Sequence, residues 1–414
     1  MHGHLTSMTE KLETAWANGL PTKSPSFYKV TVIAAIVLIN RYTGHHTSSS
    51  LANQNGQPRI AKVTALYGHP HPLYERAIKT HKKHNQKHGY PQYILQRQIT
   101  NGYWNKFAYL LHLVVQELAK PENERIEWFY WSDPNVIILN PNIPLHIFLP
   151  PPEISDVNLV ATRDRAGLNP ASFFIRTDEM SMRLLVSILA QPAVDPEETS
   201  KSYAKDQELF QKVALSDDFK RFMLYTPRPW FNAEQKRAHA DDDPDDFAGT
   251  FEGGYGALLV NFPRLNGDRW QSMSKYLDQV ERHFNPYSVP LSSTSYIANT
   301  TEYWNQIREA LQLVADTEEL LNPVGEWQGK YPGIEYAKGK VVDMVAQEAD
   351  QADVLEEAVK GLRGEYDDVR EAELKARNDY DVWRAEMTDR ERKLASEMEG
   401  DLKKEREARK MKAK

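Results

Sequence analysis

Apolar positions change their spacing several times along residues 60–131, and each spacing is typical of one kind of element. Short apolar runs rich in β-branched and aromatic residues indicate strands, whereas apolar residues three or four positions apart indicate one face of a helix. In chain order the pattern predicts strand Ala61–Tyr67, helix Pro72–Gln86 ended by Gly89, strand Tyr93–Leu95, helix Tyr103–Leu118 and strand Ile126–Trp131. A β-α-β-α-β order predicts an α/β fold with a mostly parallel sheet and helices on both faces.

Two of these strands are followed directly by a glycine or by short polar residues. In parallel sheets ligands bind beyond the carboxyl ends of the strands, and both Gly68 and Ser132–Asn135 are at such ends. The side chains of Asp133 and Asn135 could hold a hard divalent cation, which in turn would hold a diphosphate. The alternative interpretation is an Asx-type turn that leads into the next apolar run, Val136–Leu139.

Three histidines share one face of the first predicted helix. His81, His84 and His88 follow one another at spacings of three and four residues, which also occur in metal sites. The lysines between them favour a basic face exposed to solvent instead.

An apolar stretch near the N-terminus, Phe27–Tyr42, raises the question of a membrane anchor. As a helix it would span about 24 Å, against roughly 30 Å for the hydrocarbon core of a bilayer. Lys29 and Arg41 lie near its ends. The stretch is therefore interpreted either as a short signal-anchor or as a buried strand or secretory segment. The small polar residues of 43–59 indicate a flexible stem.

The C-terminal region differs in composition from the rest, since residues 341–414 contain no proline and many charged residues. Apolar residues there follow steps of three and four, which is the spacing of a coiled-coil seam. The seam residues are Leu355, Val359, Leu362, Tyr366, Val369, Ala376, Tyr380, Trp383, Met387 and Leu394. This pattern predicts a long charged helix over 341–414 and an oligomerisation surface, with a single solvated helix as the alternative.

Charge and cysteine content exclude several classes of function. The chain carries 51 basic and 58 acidic residues, and the formal net charge of −7 gives no basic footprint for nucleic acid. Cysteine is absent, which excludes disulfides, thiol nucleophiles and thiolate metal sites. Hydrophobic residues make up 41% of the chain, which fits a substantial folded core.

Six segments of the chain carry a resemblance to a known family. They are YGHPHPLYERAIKTHKKHNQKHGYP, GYWNKFAYLLHLVVQELAKP, WFYWSDPNVIILNPNIPLHIFLPPP, GLNPASFFIR, KDQELF and PRPWFNA. In this order they resemble glycosyltransferase family 34, which includes fungal α-1,2-galactosyltransferases and α-1,6-mannosyltransferases of the Golgi. The resemblance implies a GT-A fold over residues 60–330, with a single Rossmann-like sheet that binds a nucleotide-sugar. It also implies a type II Golgi membrane protein, with a cytosolic tail at 1–26, the anchor at 27–42 and a lumenal catalytic domain.

The same resemblance assigns residues to a metal and donor site. In the family, an Asp-x-Asp motif and a histidine bind Mn²⁺ and the donor diphosphate. Asp133, Asn135 and Asn261 stand at these positions, so two of the three ligands are amides. Because an amide brings no negative charge to a cation, we expect Mn²⁺ binding to be weakened or lost. Arg264 follows closely in sequence and could neutralise the diphosphate instead, with an ordinary surface arginine as the alternative.

Further positions match the family around the sugar and the acceptor. Asp206 and Gln207 match an acidic-Gln pair beside the donor sugar, where a carboxylate could stabilise the developing positive charge. Asp206 could also serve as a helix cap. Lys106 matches a lysine near the donor phosphate. Asn169 lies in a segment, Leu168–Ala171, that matches a turn on the acceptor side.

Two functions remain open at this point. The first is retaining transfer of a hexose from UDP-galactose or GDP-mannose to a glycan acceptor in the Golgi. The second is a scaffold or complex subunit that has lost catalysis and acts through its C-terminal helix. Asp206, Gln207 and Lys106 favour the enzyme, whereas the amides of Asn135 and Asn261 favour the scaffold.

Overall fold

Eight strands form two sheets in the part of the chain that the computed structural model describes, which is residues 57–100, 104–194, 205–235, 251–263, 269–282, 285–321 and 331–412. The strands are β1 Ile60–Ala65, β2 Gln92–Leu95, β3 Trp128–Ser132, β4 Val136–Ile138, β5 Leu159–Asp164, β6 Gly167–Arg176, β7 Met223–Tyr225 and β8 Leu259–Asn261. The larger sheet has the order β2-β1-β3-β6-β5-β7, and the smaller sheet pairs β4 with β8.

Five strands of the larger sheet run in one direction and β6 runs in the opposite one. β1 pairs in parallel with β2 and β3, and β5 pairs in parallel with β7. β6 lies between the two groups and is antiparallel to both β3 and β5. The predicted α/β class with a mostly parallel sheet is therefore confirmed. Since β1, β3 and β5 end at the same edge of the sheet, the residues that follow them come together there.

Eight α-helices accompany the sheets in the described residues. They are α1 Pro72–His88, α2 Trp104–Leu118, α3 Glu179–Val194, α4 Lys205–Ala214, α5 Arg269–Val280, α6 Tyr296–Leu321, α7 Pro332–Glu348 and α8 Ala352–Lys412. Helix α1 starts after His71, whose ring accepts a hydrogen bond from the Leu73 amide. It ends at Gly89, which has a φ of 72°. Glycine is favoured at such a left-handed position, so the predicted helix end is confirmed.

The main core forms where the apolar face of α2 packs on the larger sheet. Phe107, Leu111 and Val114 of α2 are buried in one cluster with Phe129 of β3. These helix positions are the ones that the spacing of three and four residues predicts. Each such buried side chain contributes roughly 1.5–3 kcal/mol to folding. The packing fixes the start of α2, and with it Lys106.

His81 and His84 are buried beneath α1, and the prediction of a solvated face is wrong for them. Nδ1 of His84 lies 2.6 Å from the amine of Lys62 in β1, and its Nε2 lies 2.7 Å from the carbonyl oxygen of Ile143. Nδ1 of His81 lies 3.5 Å from the same amine, and its Nε2 lies 3.2 Å from the carbonyl oxygen of Val136. Burial lowers the pKa of Lys62 and of both histidines. The cluster joins α1 to the sheet instead of facing solvent.

The segment Leu168–Ala171 is not a turn, because its residues belong to strand β6. The chain turns just before it, at Gly167, which has a φ of 103°. Ala171 is therefore extended, and the glycine that a turn would need at that position is not required.

The C-terminal region forms two helices where the sequence predicts one. Helix α7 ends at Glu348, and α8 begins at Ala352 after a break of residues 349–351. The long charged helix itself is confirmed, since α8 contains 61 residues. The described residues divide into two compact units with boundaries after Glu309, Val342 and Leu355. The first unit holds both sheets, and the second holds most of α8.

No helix in the described ranges is long and apolar enough to cross a bilayer. The predicted anchor, Phe27–Tyr42, lies outside those ranges, as do the predicted cytosolic tail and almost all of the predicted stem.

Candidate functional site

A cleft of about 750 Å³ opens at the edge of the larger sheet where β1, β3 and β5 end. This volume lies within the usual range for small-molecule sites. Residues after β1, after β3 and at the end of β5 line it, together with residues of β6. Six residues that the sequence assigns to the site are among them: Lys106, Asp133, Asn135, Asn169, Gln207 and Asn261.

Lys106 and Asp133 form a clamp at the centre of this cleft. The Lys106 amine lies 3.0 Å from Oδ1 of Asp133 and donates to the carbonyl oxygen of Pro170 over 2.6 Å. It also lies 5.2 Å from the centre of the Trp131 ring. The Trp131 indole donates to the same Asp133 oxygen over 2.8 Å. Lys106 is nearly buried, and the carboxylate and the ring hold its charge toward the cleft.

Four polar side chains form a continuous chain of hydrogen bonds behind Asp133. The amide nitrogen of Asn135 donates to the side-chain oxygen of Asn261 over 2.9 Å and to the carbonyl oxygen of Phe262 over 2.7 Å. Asn261 donates to Asn232 over 2.9 Å, and Asn232 donates to the hydroxyl of Thr162 over 2.8 Å. Pairing of β4 with β8 sets this geometry, because it places residue 136 directly opposite residue 261.

The donor set at these positions does not fit Mn²⁺. The side-chain oxygen of Asn261 already accepts the amide nitrogen of Asn135, and the oxygens of both amides bring no negative charge to a cation. Asp133 supplies the one carboxylate of the three, and its Oδ1 is taken by Lys106 and Trp131. A hard divalent cation prefers several charged oxygen ligands, which this arrangement does not offer. In addition, no group of three His, Cys, Asp or Glu in the described ranges could hold a metal ion.

A second polar network lines the opposite wall. The amide nitrogen of Asn169 donates to Asp164 over 3.0 Å and to Glu234 over 2.9 Å. Gln207, in the first turn of α4, donates to the other oxygen of Asp164 over 3.1 Å. The side-chain oxygen of Asn169 accepts the Ala171 amide. Asn169 and Gln207 are thus held by carboxylates, and the two amides orient those carboxylates in turn.

Glu234 is a buried carboxylate beside this wall, with an altered tendency to ionise. Burial, together with the nearby carboxylates of Glu252 and Asp164, raises its pKa to about 7, although Arg228 opposes the shift. The Arg228 guanidinium lies 3.2 Å from Glu234 and also contacts Glu252. A group that titrates near neutral pH next to a cleft can give or take a proton under physiological conditions.

No protein-family model and no curated protein matches the chain. It is similar to the crystal structure of a glycosyltransferase involved in the glycosylation of the major capsid of PBCV-1. That likeness has 14% identity and a TM-score of 0.38, and covers 53% of this chain and all of that one.

Two structures of the glycosyltransferase GlyE of Streptococcus pneumoniae TIGR4 are also similar. Both show 12% identity over 61% of this chain and 64% of GlyE, with TM-scores of 0.29 for the apo form and 0.27 for the other. The chain therefore aligns with just under two thirds of the length of GlyE.

Three of the predicted site residues are not placed in the cleft. Gly68 forms the turn after β1 with a φ of 75°, between Tyr67 and Pro70, which both line the cleft. Asp206 belongs to α4, but its side chain lies outside the described part of the chain, and so does the whole of Arg264. Their predicted roles stay predictions.

The sequence analysis does not assign four further residues of this region to the site. Asp164 is the last residue of β5 and Trp131 is the last but one of β3, so attention to every strand end would have found both. Glu234 directly follows the segment PRPWFNA, but only the fold brings it near Asn169. Arg269 lines the cleft at the start of α5 and donates to the hydroxyl of Tyr74 over 2.9 Å. Its place follows from the packing of α5, which the sequence pattern did not include.

Proposed function

We propose that the chain is a glycosyltransferase whose cleft binds the diphosphate of a nucleotide-sugar with side-chain cations instead of Mn²⁺. One observation carries the proposal. Six residues chosen from five distant parts of the sequence line one cleft at the carboxyl edge of the sheet. Ligands of α/β proteins bind at this edge. Lys106 and Arg269 supply positive charge there without a metal ion.

The chemistry of glycosyl transfer suits this arrangement. The leaving diphosphate gains negative charge as the bond to the sugar breaks, and a fixed cation stabilises that charge most effectively where water is excluded. Lys106 meets both conditions, because it is nearly buried and because Asp133 and Trp131 hold it in place. Asp164, held by Asn169 and Gln207, would lie nearer the sugar and stabilise positive charge on its ring.

The finer part of the proposal rests on the resemblance to glycosyltransferase family 34. On that basis the donor is UDP-galactose or GDP-mannose, the acceptor is a glycan, and the anomeric configuration is retained. The same resemblance supports a Golgi protein with a single anchor at Phe27–Tyr42.

Donor binding tests the proposal most directly. UDP-galactose and GDP-mannose are titrated into the full-length chain by calorimetry, once with Mn²⁺ and once with a chelator. We expect one donor to bind with similar affinity in both conditions. Lys106→Met should weaken that binding by tenfold or more, which is about 1.4 kcal/mol. The matched control is Lys220→Met, since Lys220 pairs with Asp217 and Asp343 away from the cleft-lining residues.

Each other outcome has a clear meaning. If neither donor binds in either condition, the enzyme proposal fails and the scaffold interpretation takes its place. If binding requires Mn²⁺, the cleft is a donor site but the proposed role of the side-chain cations is wrong.

A further inference from the structure

An apolar stripe runs along the distal part of α8 and is exposed to solvent. It consists of Tyr380, Trp383, Met387, Leu394, Met398 and Leu402, which are 37–66% exposed. At the helical repeat of 3.6 residues, these six side chains fall within an arc of about 100°, the width of a face that packs against another element. Val382 is also apolar and exposed, but it lies outside this arc.

The same line of the helix is covered in its proximal part. Leu355, Leu362 and Val369 continue the stripe toward the start of α8, and all three are buried. The apolar seam of α8 is therefore buried in its first half and exposed in its second half. The exposed half has the same apolar character as the buried half, so it is suited to packing against another element. Isolated apolar residues on a surface are ordinary, but a continuous stripe of this length marks an interaction site.

The spacing of the stripe shows which kind of partner it fits. Trp383 and Leu394 are eleven residues apart, as are Met387 and Met398. An eleven-residue repeat keeps an apolar face on one side of a nearly straight helix. A second long helix can therefore follow this face over its whole length, whereas a globular surface would match only a part of it.

The charges on α8 identify a second copy of the chain as that helix. Residues 365–373 carry five acidic residues and one basic residue, whereas residues 403–412 carry six basic and two acidic residues. In a parallel pair, equal charges would lie side by side, while an antiparallel pair brings the acidic segment of each copy to the basic segment of the other. We propose that two copies of the chain associate through α8 in an antiparallel pair.

An antiparallel arrangement brings the stripe and the charged segments together at once. With Trp383 opposite Leu394 of the second copy, Tyr380 lies within one residue of Met398. The acidic segment 365–373 of each copy then lies level with residues 404–412 of the other, where basic residues predominate. Apolar contact and charge complementarity therefore favour the same direction of pairing.

Sedimentation equilibrium of the full-length chain in mild detergent tests the association. We expect a dimer whose dissociation constant rises about tenfold or more in Trp383→Glu. The matched control is Val382→Glu, which adds the same charge at the adjacent, similarly exposed residue but off the stripe, and it should leave the dissociation constant unchanged. A chain that stays monomeric at all concentrations overturns the proposal. So does an equal effect of both substitutions.

The absence of cysteine allows a separate test of direction. Ala376→Cys and Asp401→Cys chains, whose substituted positions lie level with each other beside the stripe, are oxidised alone and as a mixture. In the antiparallel register a disulfide forms mainly between the two different chains, and little forms in either chain alone. Disulfides within each separate sample, with none between the two chains, would show a parallel pair and contradict the proposal.

Discussion

Asp133 shares one oxygen between the indole of Trp131 and the amine of Lys106, and this sharing limits the chemistry of the carboxylate. A carboxylate held by a cation is a poor ligand for a second cation, because the two positive charges compete for it. The neighbouring amides are restricted in the same way, since Asn135 donates to the side-chain oxygen of Asn261 and Asn261 donates in turn to Asn232. Neighbouring polar side chains in the cleft therefore fix each other's orientation.

The amide pair leads to a prediction about metal binding. Asn135→Asp and Asn261→His made together restore two ligands of the kind that the family uses, and we expect Mn²⁺ to bind the double variant more tightly than the parent chain by tenfold or more, about 1.4 kcal/mol. Each single variant should gain little, because each leaves the other amide without its partner in a buried place. Calorimetry with MnCl₂ measures the four proteins. Equal gains in the single variants would contradict the pairing.

Glu234 should make stability depend on pH. Burial raises its pKa to about 7 in the folded chain, from an ordinary value near 4.5. The folded chain therefore holds a proton that the unfolded chain has lost, and the free energy of unfolding should fall as pH rises from about 4.5 to 7. Glu234→Gln keeps the group neutral, so it should be more stable than the parent by about 3 kcal/mol at pH 8 and nearly equal at pH 4.5.

Denaturant unfolding at several pH values measures this difference. The exposed Glu318→Gln serves as the control and should leave the pH dependence unchanged. If Glu234→Gln were less stable than the parent at pH 8, the ion pair with Arg228 would outweigh the burial of the carboxylate.

Helices α1 and α2 begin and end within two residues of their predicted bounds, because the signals that define them are local. Glycine at position 89 and apolar residues at spacings of three and four depend only on near neighbours in the chain. Strands β4 and β8 have three residues each, and they form because Val136 meets Asn261 across a large sequence separation. The spacing of apolar residues within a short segment gives no information about such long-range strand pairing.

The histidines on α1 also show that a local sequence pattern does not predict which face of a helix is buried. The sequence shows which face of α1 the histidines occupy, but the lysines between them favour the interpretation that this face is exposed to solvent. Only the position of Lys62 in β1 makes that face a buried one. A histidine that donates to a carbonyl and accepts from a lysine has its polar atoms satisfied, which lets it replace apolar residues in the core.

Replacement of glycine by alanine should have opposite effects on helix stability at two positions. Gly89 ends α1 with a φ of 72°, and alanine there should cost roughly 1 kcal/mol. Gly364 lies exposed inside α8, where an added methyl group meets nothing within 4 Å, and alanine there should stabilise the helix by roughly 1 kcal/mol. Thermal unfolding measures the first change, and hydrogen exchange of α8 amides measures the second. A loss of protection in Gly364→Ala would contradict the helical assignment.

Strand order is a property of the whole molecule, and the cleft depends on it. The sequence predicts three parallel strands and the edge where they end, which confines the site to one side of the sheet. It does not predict that β6 enters between β3 and β5 in the opposite direction, because that pairing joins residues about 45 positions apart. Asn169 reaches the cleft and meets Glu234 only through this insertion, so this wall of the cleft could not be predicted.

Charge along α8 gives a prediction for the whole molecule. The charged side chains of the segments that the proposed dimer brings together are largely exposed to solvent, and salt screens such charges over about 8 Å at physiological ionic strength. The dissociation constant should therefore rise between about 50 mM and 500 mM NaCl, but by less than about tenfold, because the apolar stripe is not weakened by salt. Sedimentation equilibrium at both concentrations decides this, and a dimer that tightens with salt would argue against the charge-matched register.

Because Trp383 is exposed, intrinsic tryptophan fluorescence can report on the proposed association of two copies. Trp128, Trp131, Trp230 and Trp304 are buried, whereas Trp383 is more than half exposed. A quencher such as acrylamide therefore reaches the indole of Trp383 more readily than the four buried ones. As copies pair, that quenching should decline and the emission should move to shorter wavelength, so fluorescence can follow the assembly without any attached dye.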